Sequence, residues 1–315
     1  MELNHDGAAR HVGVEIEFAA VSAADATGVV QALFGGEIET VDPHQYFVRA
    51  TELGDFECKL DFQYAHRPAG PGDEAPAVMG ELGEKLRHII GDVSSLVAPC
   101  EIVCPPLEIA QLLRIDDLRE ALRRAGAAGT GEGLLYAFGA QLNPEIASRS
   151  PGYVLSILQA YMLLSDWLRA EIAIDPARWL LAFADPFPEA YQELVLSPDY
   201  RPDMETLIDN HLAYNPTRNR ELDMLPLFCW LDEKRVRNAM DDPRIKPRPT
   251  FHYRLPDAQV QDPGWTIAAE WNRWCRVEHL AADRDALAGA CGAWREHSAK
   301  VFAQPWAEEV KAWLR

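Results

Sequence analysis

Residues Gly13 to Ala20 read GVEIEFAA, and the fold turns on how this stretch is read. Val14, Ile16 and Phe18 alternate with Glu15 and Glu17, the period-two pattern of a strand with one apolar and one polar face. A helix would spread these side chains around its circumference. A strand points both carboxylates the same way, about 7 Å apart along the chain. That spacing suits hard divalent cations held together with phosphate oxygens. The plain alternative is a pair of exposed strand glutamates, which are common on protein surfaces.

Working outward, Cys100 to Glu108 reads CEIVCPPLE: Glu101 opens a short strand that Pro105 and Pro106 stop, another carboxylate at a strand edge. Cys100 and Cys104 flank it and read as one wall of a core. Strands are predicted at Gln45–Ala50 and, after Gly54, at Phe56–Phe62. Glu57 and Asp61 there are weaker acidic candidates, and Lys59 between them reads as a salt-bridge partner on a solvated face. A Pro/Gly-rich loop at Pro68–Pro76 precedes a helix over Gly80–Val93, and a further helix is expected at Asp116–Ala125. Leu134–Leu142 and Thr250–Leu255 read as strands, the second bracketed by Pro249 and Pro256. Tyr153–Leu168 reads as a core helix. From Ile267 to Leu314 the composition is helical, with Trp271 and Trp274 on neighbouring positions of one face.

Short strands distant in sequence, with helices between and after them, predict an α+β fold with a mostly antiparallel sheet and helices packed on one side. The expected organisation is a single domain over 1–315, with a helical insertion at about 152–200 and a helical C-terminal part at about 265–315. There is no GxGxxG and no GxxxxGK[ST], so Rossmann and P-loop nucleotide sites are not supported.

The 315 residues include 49 Asp/Glu and 30 Lys/Arg, a net charge of −19. That argues against nucleic acid and against an anionic membrane as partners. Tyr153–Leu168 is interrupted by Ser156, Gln159, Ser165 and Asp166 and is too short to cross a bilayer. Met1–His11 lacks the apolar run of a signal peptide. Six scattered cysteines without a CxxC pair read as reduced thiols, so a cytoplasmic location is expected. The charge is uneven: Arg218–Arg254 holds nine Lys/Arg against six Asp/Glu. Overlapping its start, Asn215–Pro226 concentrates polar side chains with Arg218 and Arg220, suited to gripping phosphate or carboxylate, or else pairing with Glu221 and Asp223. His252, Arg254 and Arg248 share one strand face by period two, which leaves His252 open as a ligand or as a structural histidine.

In order, GVEIEF, EIVCPPL, LRIDDLREALRRAGA, the glycine-preceded strand at Gly139 and FHYRLPD resemble the amidoligase family of ATP-dependent carboxylate–amine ligases. The resemblance runs from about Gly13 to Asp257. It implies the fold of glutamine synthetase and glutamate–cysteine ligase, with ATP and Mg2+ as cofactors. By resemblance Glu15, Glu17 and Glu101 would hold Mg2+ ions that bridge the phosphates of ATP. Gln141 and Asn143 stand where the family has histidines, Asn143 as a metal ligand and Gln141 beside the nucleotide. An amide oxygen can ligate Mg2+ but cannot act as a titrating base.

The resemblance further implies that His252 replaces a metal-ligating glutamate. Arg254, with Arg218 and Arg220, would contact the moving phosphoryl group, and Arg248 and Asn215 would assist nucleotide binding. The implied activity joins a small-molecule or peptide carboxylate to an amine, giving an amide or isopeptide bond through an acyl phosphate. The alternative is a non-catalytic ligand- or protein-binding member of the same fold with a degenerate metal site, suggested by Gln141, Asn143 and His252.

Overall fold

The computed structural model describes residues 2–60, 99–130, 138–174, 184–300 and 304–314. The strands among them are β1 (His11–Phe18), β2 (Glu37–Asp42), β3 (Gln45–Thr51), β4 (Gly54–Leu60), β5 (Cys100–Val103), β6 (Leu107–Glu108), β7 (Ala140–Pro144), β8 (Leu222–Asp223) and β9 (His252–Tyr253). They form one sheet in the order β2-β3-β4-β5-β1-β7-β9-β8, with β6 also paired to β1, and every ladder is antiparallel. The helices are α1 (Ala23–Phe34), α2 (Leu112–Arg124), α3 (Pro151–Ile172), α4 (Glu189–Val195), α5 (Met204–Tyr214), α6 (Leu225–Leu231), α7 (Glu233–Ala239), α8 (Ile267–Ala282), α9 (Arg284–Ser298) and α10 (Trp306–Glu309). This is the α+β class expected from the sequence.

β1 sits near the middle of the sheet because its alternation supplies both faces. Val12, Val14, Ile16 and Phe18 are wholly buried on one of them. Three helices cover that side. α1 packs there through Phe34, whose ring stacks on Phe56 of β4 at 5.3 Å. Tyr253 of β9 lies between Tyr161 of α3 and Trp274 of α8, at 5.8 and 5.5 Å between ring centres. Burial of these large rings and aliphatic side chains removes apolar surface from water, the main stabilising term of such a core.

Two local features set the register. Gly54 has φ +118° in the turn between β3 and β4, and a Cβ there would lie 2.9 Å from Pro105 Cβ, so only glycine fits against the double proline. Arg10, just before β1, is buried. Its guanidinium forks onto Glu278 of α8, with Nη1 to Oε2 at 2.8 Å and Nη2 to Oε1, while Nε donates to the Glu145 carbonyl at 2.6 Å. Trp274 Nε1 donates to the same Glu278 carboxylate at 2.6 Å. The entry to the central strand is thereby strapped to the C-terminal helices.

Several sequence expectations need correction. β2 and α1 were not anticipated: every β2 residue is exposed, so EIETVD has no apolar face to betray it. α2 begins at Leu112, before Asp116, after a 3-10 turn. The strand expected at Leu134–Leu142 is β7, ending at Pro144; residues 131–137 lie outside the described residues. Thr250–Leu255 forms a ladder only at His252–Tyr253. Asp283 breaks the long C-terminal helix by capping α9, accepting from the Ala286 N–H at 2.9 Å. The predicted helix at Gly80–Val93 and residues Asp61 and Phe62 lie outside the described residues. Among the described residues no helix is long and apolar enough to cross a membrane. All six cysteines are free thiols.

Removing one member of a buried ion pair strands the other, at a cost of about 3 kcal/mol or more. Arg10→Met is therefore expected to lower the unfolding free energy by about that amount in urea titrations, and Arg10→Met with Glu278→Met by clearly less. Equal losses in the two variants would contradict the strap.

Candidate functional site

The face of the sheet opposite the helices is polar from β4 to β8. Register places Glu17 of β1 opposite Glu101 of β5, and Glu15 opposite Gln141 of β7. Lys59 of β4 lies opposite Glu101, Gly13 opposite Asn143, and Asp223 of β8 opposite His252 of β9. Because side chains alternate along each strand, these cross-strand partners project from one surface. Glu15, Glu17, Glu101, Gln141, Asn143 and His252, each a candidate from sequence, therefore share a face.

Each carboxylate on this face has compensating groups. Glu17 is 4% exposed; its Oε2 accepts the Gly139 N–H at 2.7 Å and its Oε1 the Gln141 side-chain N–H at 2.9 Å. Glu101 meets the Lys59 ammonium at 3.0 Å, and the same ammonium lies 3.3 Å from Glu57. Glu15 accepts from Asn143 Nδ2 at 2.9 Å, with Arg248 Nη2 at 3.9 Å. Burial pushes the Glu15 carboxyl up, but His252, Arg248, Asn143 and Lys59 together hold it below the usual carboxylate range.

Gln141 links the acidic side of this surface to the cationic side. Its amide N–H is given to Glu17, so its oxygen faces His252 Nε2 at 2.5 Å and that nitrogen must be the donor. Burial pushes His252 down to about 4, with Arg248 and Arg254 adding to it and Asp223 and Glu15 opposing. At neutral pH the ring is uncharged, so its other nitrogen presents a lone pair to the Asp223 carboxylate. That accounts for the long 3.4 Å separation between them. It also leaves Arg248, Asn143 and Lys59 as the groups that keep Glu15 ionised at pH 7.

Arg254 and Arg218 lie beside this pair. Arg254 Nη1 donates to the Arg218 carbonyl at 2.5 Å, and against the burial of Asp223 both guanidinium groups help to hold its carboxyl below the ordinary value. Burial lowers the Arg218 pKa, and Arg254 lowers it further. Arg218 Nε and Arg248 Nε are buried without a hydrogen-bond partner. Arg220 and Asn215 belong elsewhere. Arg220 Nε donates to Asn215 Oδ1 at 2.8 Å and its Nη1 to the Pro186 carbonyl at 2.7 Å, so these two expected site residues brace a loop and are correspondingly withdrawn from the site.

Sequence reasoning missed two members. Lys59 makes the expected salt bridge, to Glu57 at 3.3 Å, but it is only 32% exposed and also turns onto Glu101 at 3.0 Å, a contact the sequence reading did not name. Asp223 is buried opposite His252, a pairing set by the register of β8 on β9 and invisible locally. A separate groove of about 620 Å³ between α5 and α7 is lined by Asp209, Asp232, Lys234 and Arg235 among others. Arg235 there is already bonded to Asp209 and Asp232.

Residues 8–276 match a family model described as "putative amidoligase enzyme". The chain belongs to the amidoligase family. At that level it is a ligase-type enzyme, and the match spans every strand of the polar face. No curated protein and no solved structure matches this amidoligase chain.

Donor chemistry on the acidic side of the amidoligase face fits a hard cation such as Mg2+, which takes oxygen ligands. Asn143 Oδ1 is buried without a hydrogen-bond partner, next to the Glu15 carboxylate that its own Nδ2 binds. Gly13 opposite leaves the room, since a Cβ there would come within 3.2 Å of Asn143 Cβ. The fit is centred on Glu15 and Asn143. Glu17 and Glu101 are drawn to Gly139, Gln141 and Lys59, and among the described residues no three His, Cys, Asp or Glu side chains converge as a ligand cluster.

The His252 shift predicts a pH dependence. Its folded value of about 4 lies below the ordinary 6.5, so the unfolded chain binds the proton more readily. Its contribution is complete above about pH 6.5 and is lost as the pH falls through about 4. Melting temperatures of His252→Gln should therefore fall less steeply than those of the wild type across this window. Parallel curves would contradict the assignment.

Proposed function

We propose that this amidoligase is an ATP- and Mg2+-dependent carboxylate–amine ligase, built on the fold shared with glutamine synthetase. It would join a carboxylate to the amine of an amino acid, peptide or small metabolite. The observation that carries this reading is the division of one sheet face into an acidic side, Glu15, Glu17 and Glu101, and a cationic side, Arg248, Arg254 and Arg218. A metal-bound polyphosphate needs both.

In this reading Glu15 and the Asn143 amide oxygen hold Mg2+, with Glu17 and Glu101 reinforcing the negative field. Mg2+ supplies neutralisation of the phosphate charge of ATP. Arg254 and Arg218 stabilise the charge on the transferring phosphoryl group, and Arg248 binds the nucleotide phosphates. An oxygen of the substrate carboxylate attacks the γ-phosphorus and ADP leaves. The amine nitrogen then attacks the acyl carbon of the acyl phosphate, the C–O bond to phosphate breaks, and the amine loses its proton. The buried Gln141–His252 pair keeps the arginines and the acidic strands in register. With no membrane helix among the described residues and free cysteines, a cytoplasmic location goes with this reading.

ADP release should require Mg2+, a carboxylate and an amine together. Glu15→Ala with Glu17→Ala, and separately Arg254→Ala, should each reduce it by about a hundredfold or more. Unchanged turnover in the Glu15/Glu17 variant would remove the metal assignment.

A second reading, a non-catalytic binding member of the fold, is favoured by one observation. Gln141 has both ends of its amide committed, to Glu17 and to His252, where a metal- or nucleotide-facing group is expected. It predicts that ATP with Mg2+ leaves the melting temperature unchanged and that a panel of amino-acid and peptide pairs gives no ADP.

A further inference from the structure

We propose that Lys59 is a tethered cation occupying one cation position of the acidic face, so that a divalent ion near Glu101 must displace it. This rests on the ligase reading only in that divalent ions belong to this face.

Three observations support it. Strand register, and not a flexible loop, sets the position: Lys59 lies directly opposite Glu101 across the β4–β5 ladder. Its ammonium bridges two carboxylates, Glu101 at 3.0 Å and Glu57 at 3.3 Å, and Glu101 itself is 8% exposed. It also acts on Glu15, the carboxylate two strands away, adding to the groups that keep that acid ionised. Burial disfavours the ammonium, yet Glu101, Glu57 and Glu15 more than offset this and hold its pKa above the ordinary lysine value.

The face thus has a built-in positive charge beside Glu101, while an oxygen without a hydrogen-bond partner, Asn143 Oδ1, lies beside Glu15. The consequence is a division of labour. The Glu15–Asn143 end is open to a free divalent ion, and the Glu101 end is closed by a side chain of fixed single charge. A single positive charge that cannot leave costs the site one divalent ion but keeps the acidic strands together in the absence of ligand.

The test is a titration of the full chain with Mn2+ alone, without nucleotide, followed by calorimetry. Lys59→Met is expected to bind Mn2+ at least about tenfold more tightly than the wild type, or to bind one ion more, because a repelling charge is removed and Glu101 is released. Glu101→Gln in the wild-type background should change the affinity by less than about threefold, since Lys59 already holds that carboxylate. Combining Lys59→Met with Glu101→Gln should abolish the gain.

Equal or weaker Mn2+ binding by Lys59→Met would overturn the proposal, as would absence of measurable Mn2+ binding in both proteins. So would a loss in Glu101→Gln as large as that in Glu15→Gln, because the ion would then already sit on Glu101. The Glu101→Gln arm keeps the proposal falsifiable if Lys59→Met does not fold, and Lys59→Gln provides a second neutral variant. None of these readings depends on turnover. An active ligase in which Lys59→Met gains nothing refutes the tethered cation alone, whereas a gain in a chain that never releases ADP refutes the ligase reading alone.

Discussion

The rest of this structure depends on one constraint: β1 must place two carboxylates on the polar face of a central strand and surround each with compensating groups. Glu15 and Glu17 are fixed there by the same alternation that buries Val14, Ile16 and Phe18 beneath α1, α3 and α8. Taking ionised carboxylates out of water is costly unless each is paired or hydrogen-bonded. The Gly139 N–H, the amides of Gln141 and Asn143, Lys59 and Arg248 are the compensating groups, and they come from three different segments. The sheet order β4-β5-β1-β7-β9 is what lets them meet.

The result is a polar surface graded in charge. Acidic side chains occupy its β5–β1 side, and His252, Asp223, Arg254, Arg218 and Arg248 occupy the β9–β8 side, with Gln141 hydrogen-bonded to both. The net charge of −19 conceals this, because the cationic side comes almost entirely from the stretch after Arg218. A uniformly acidic protein repels polyanions at long range. A surface with opposed acidic and cationic sides can still accept one small polyanion that brings its own cation, which is the chemistry the proposed ligase needs.

Much of this was legible in the sequence where the pattern is local. Period-two alternation at GVEIEF and CEIV gave the two acidic strands, and the same periodicity put Gln141 with Asn143 and His252 with Arg254. What stayed hidden depends on contacts between distant segments. β2 lacks an apolar face, so no alternation marks it. Lys59 lies on an apolar-alternating strand whose polar side only becomes half-buried when β5 pairs with it. Arg220 and Asn215 sit in a loop dense with phosphate-binding chemistry, and only the fold shows that they hold one another and the Pro186 carbonyl. Asp223 is assigned to His252 by β8–β9 register, which no spacing of 29 residues could predict.

The central claim is that the polar face holds a metal-bound polyphosphate between Glu15 and the arginines. A crystal structure with a non-hydrolysable ATP analogue and Mn2+ tests it most directly, with anomalous scattering to locate the ions. The account predicts an anomalous peak within coordination distance of Glu15 and Asn143, and phosphates in contact with Arg254 and Arg248. Nucleotide bound elsewhere, or bound on this face with no ion near Glu15, would contradict it.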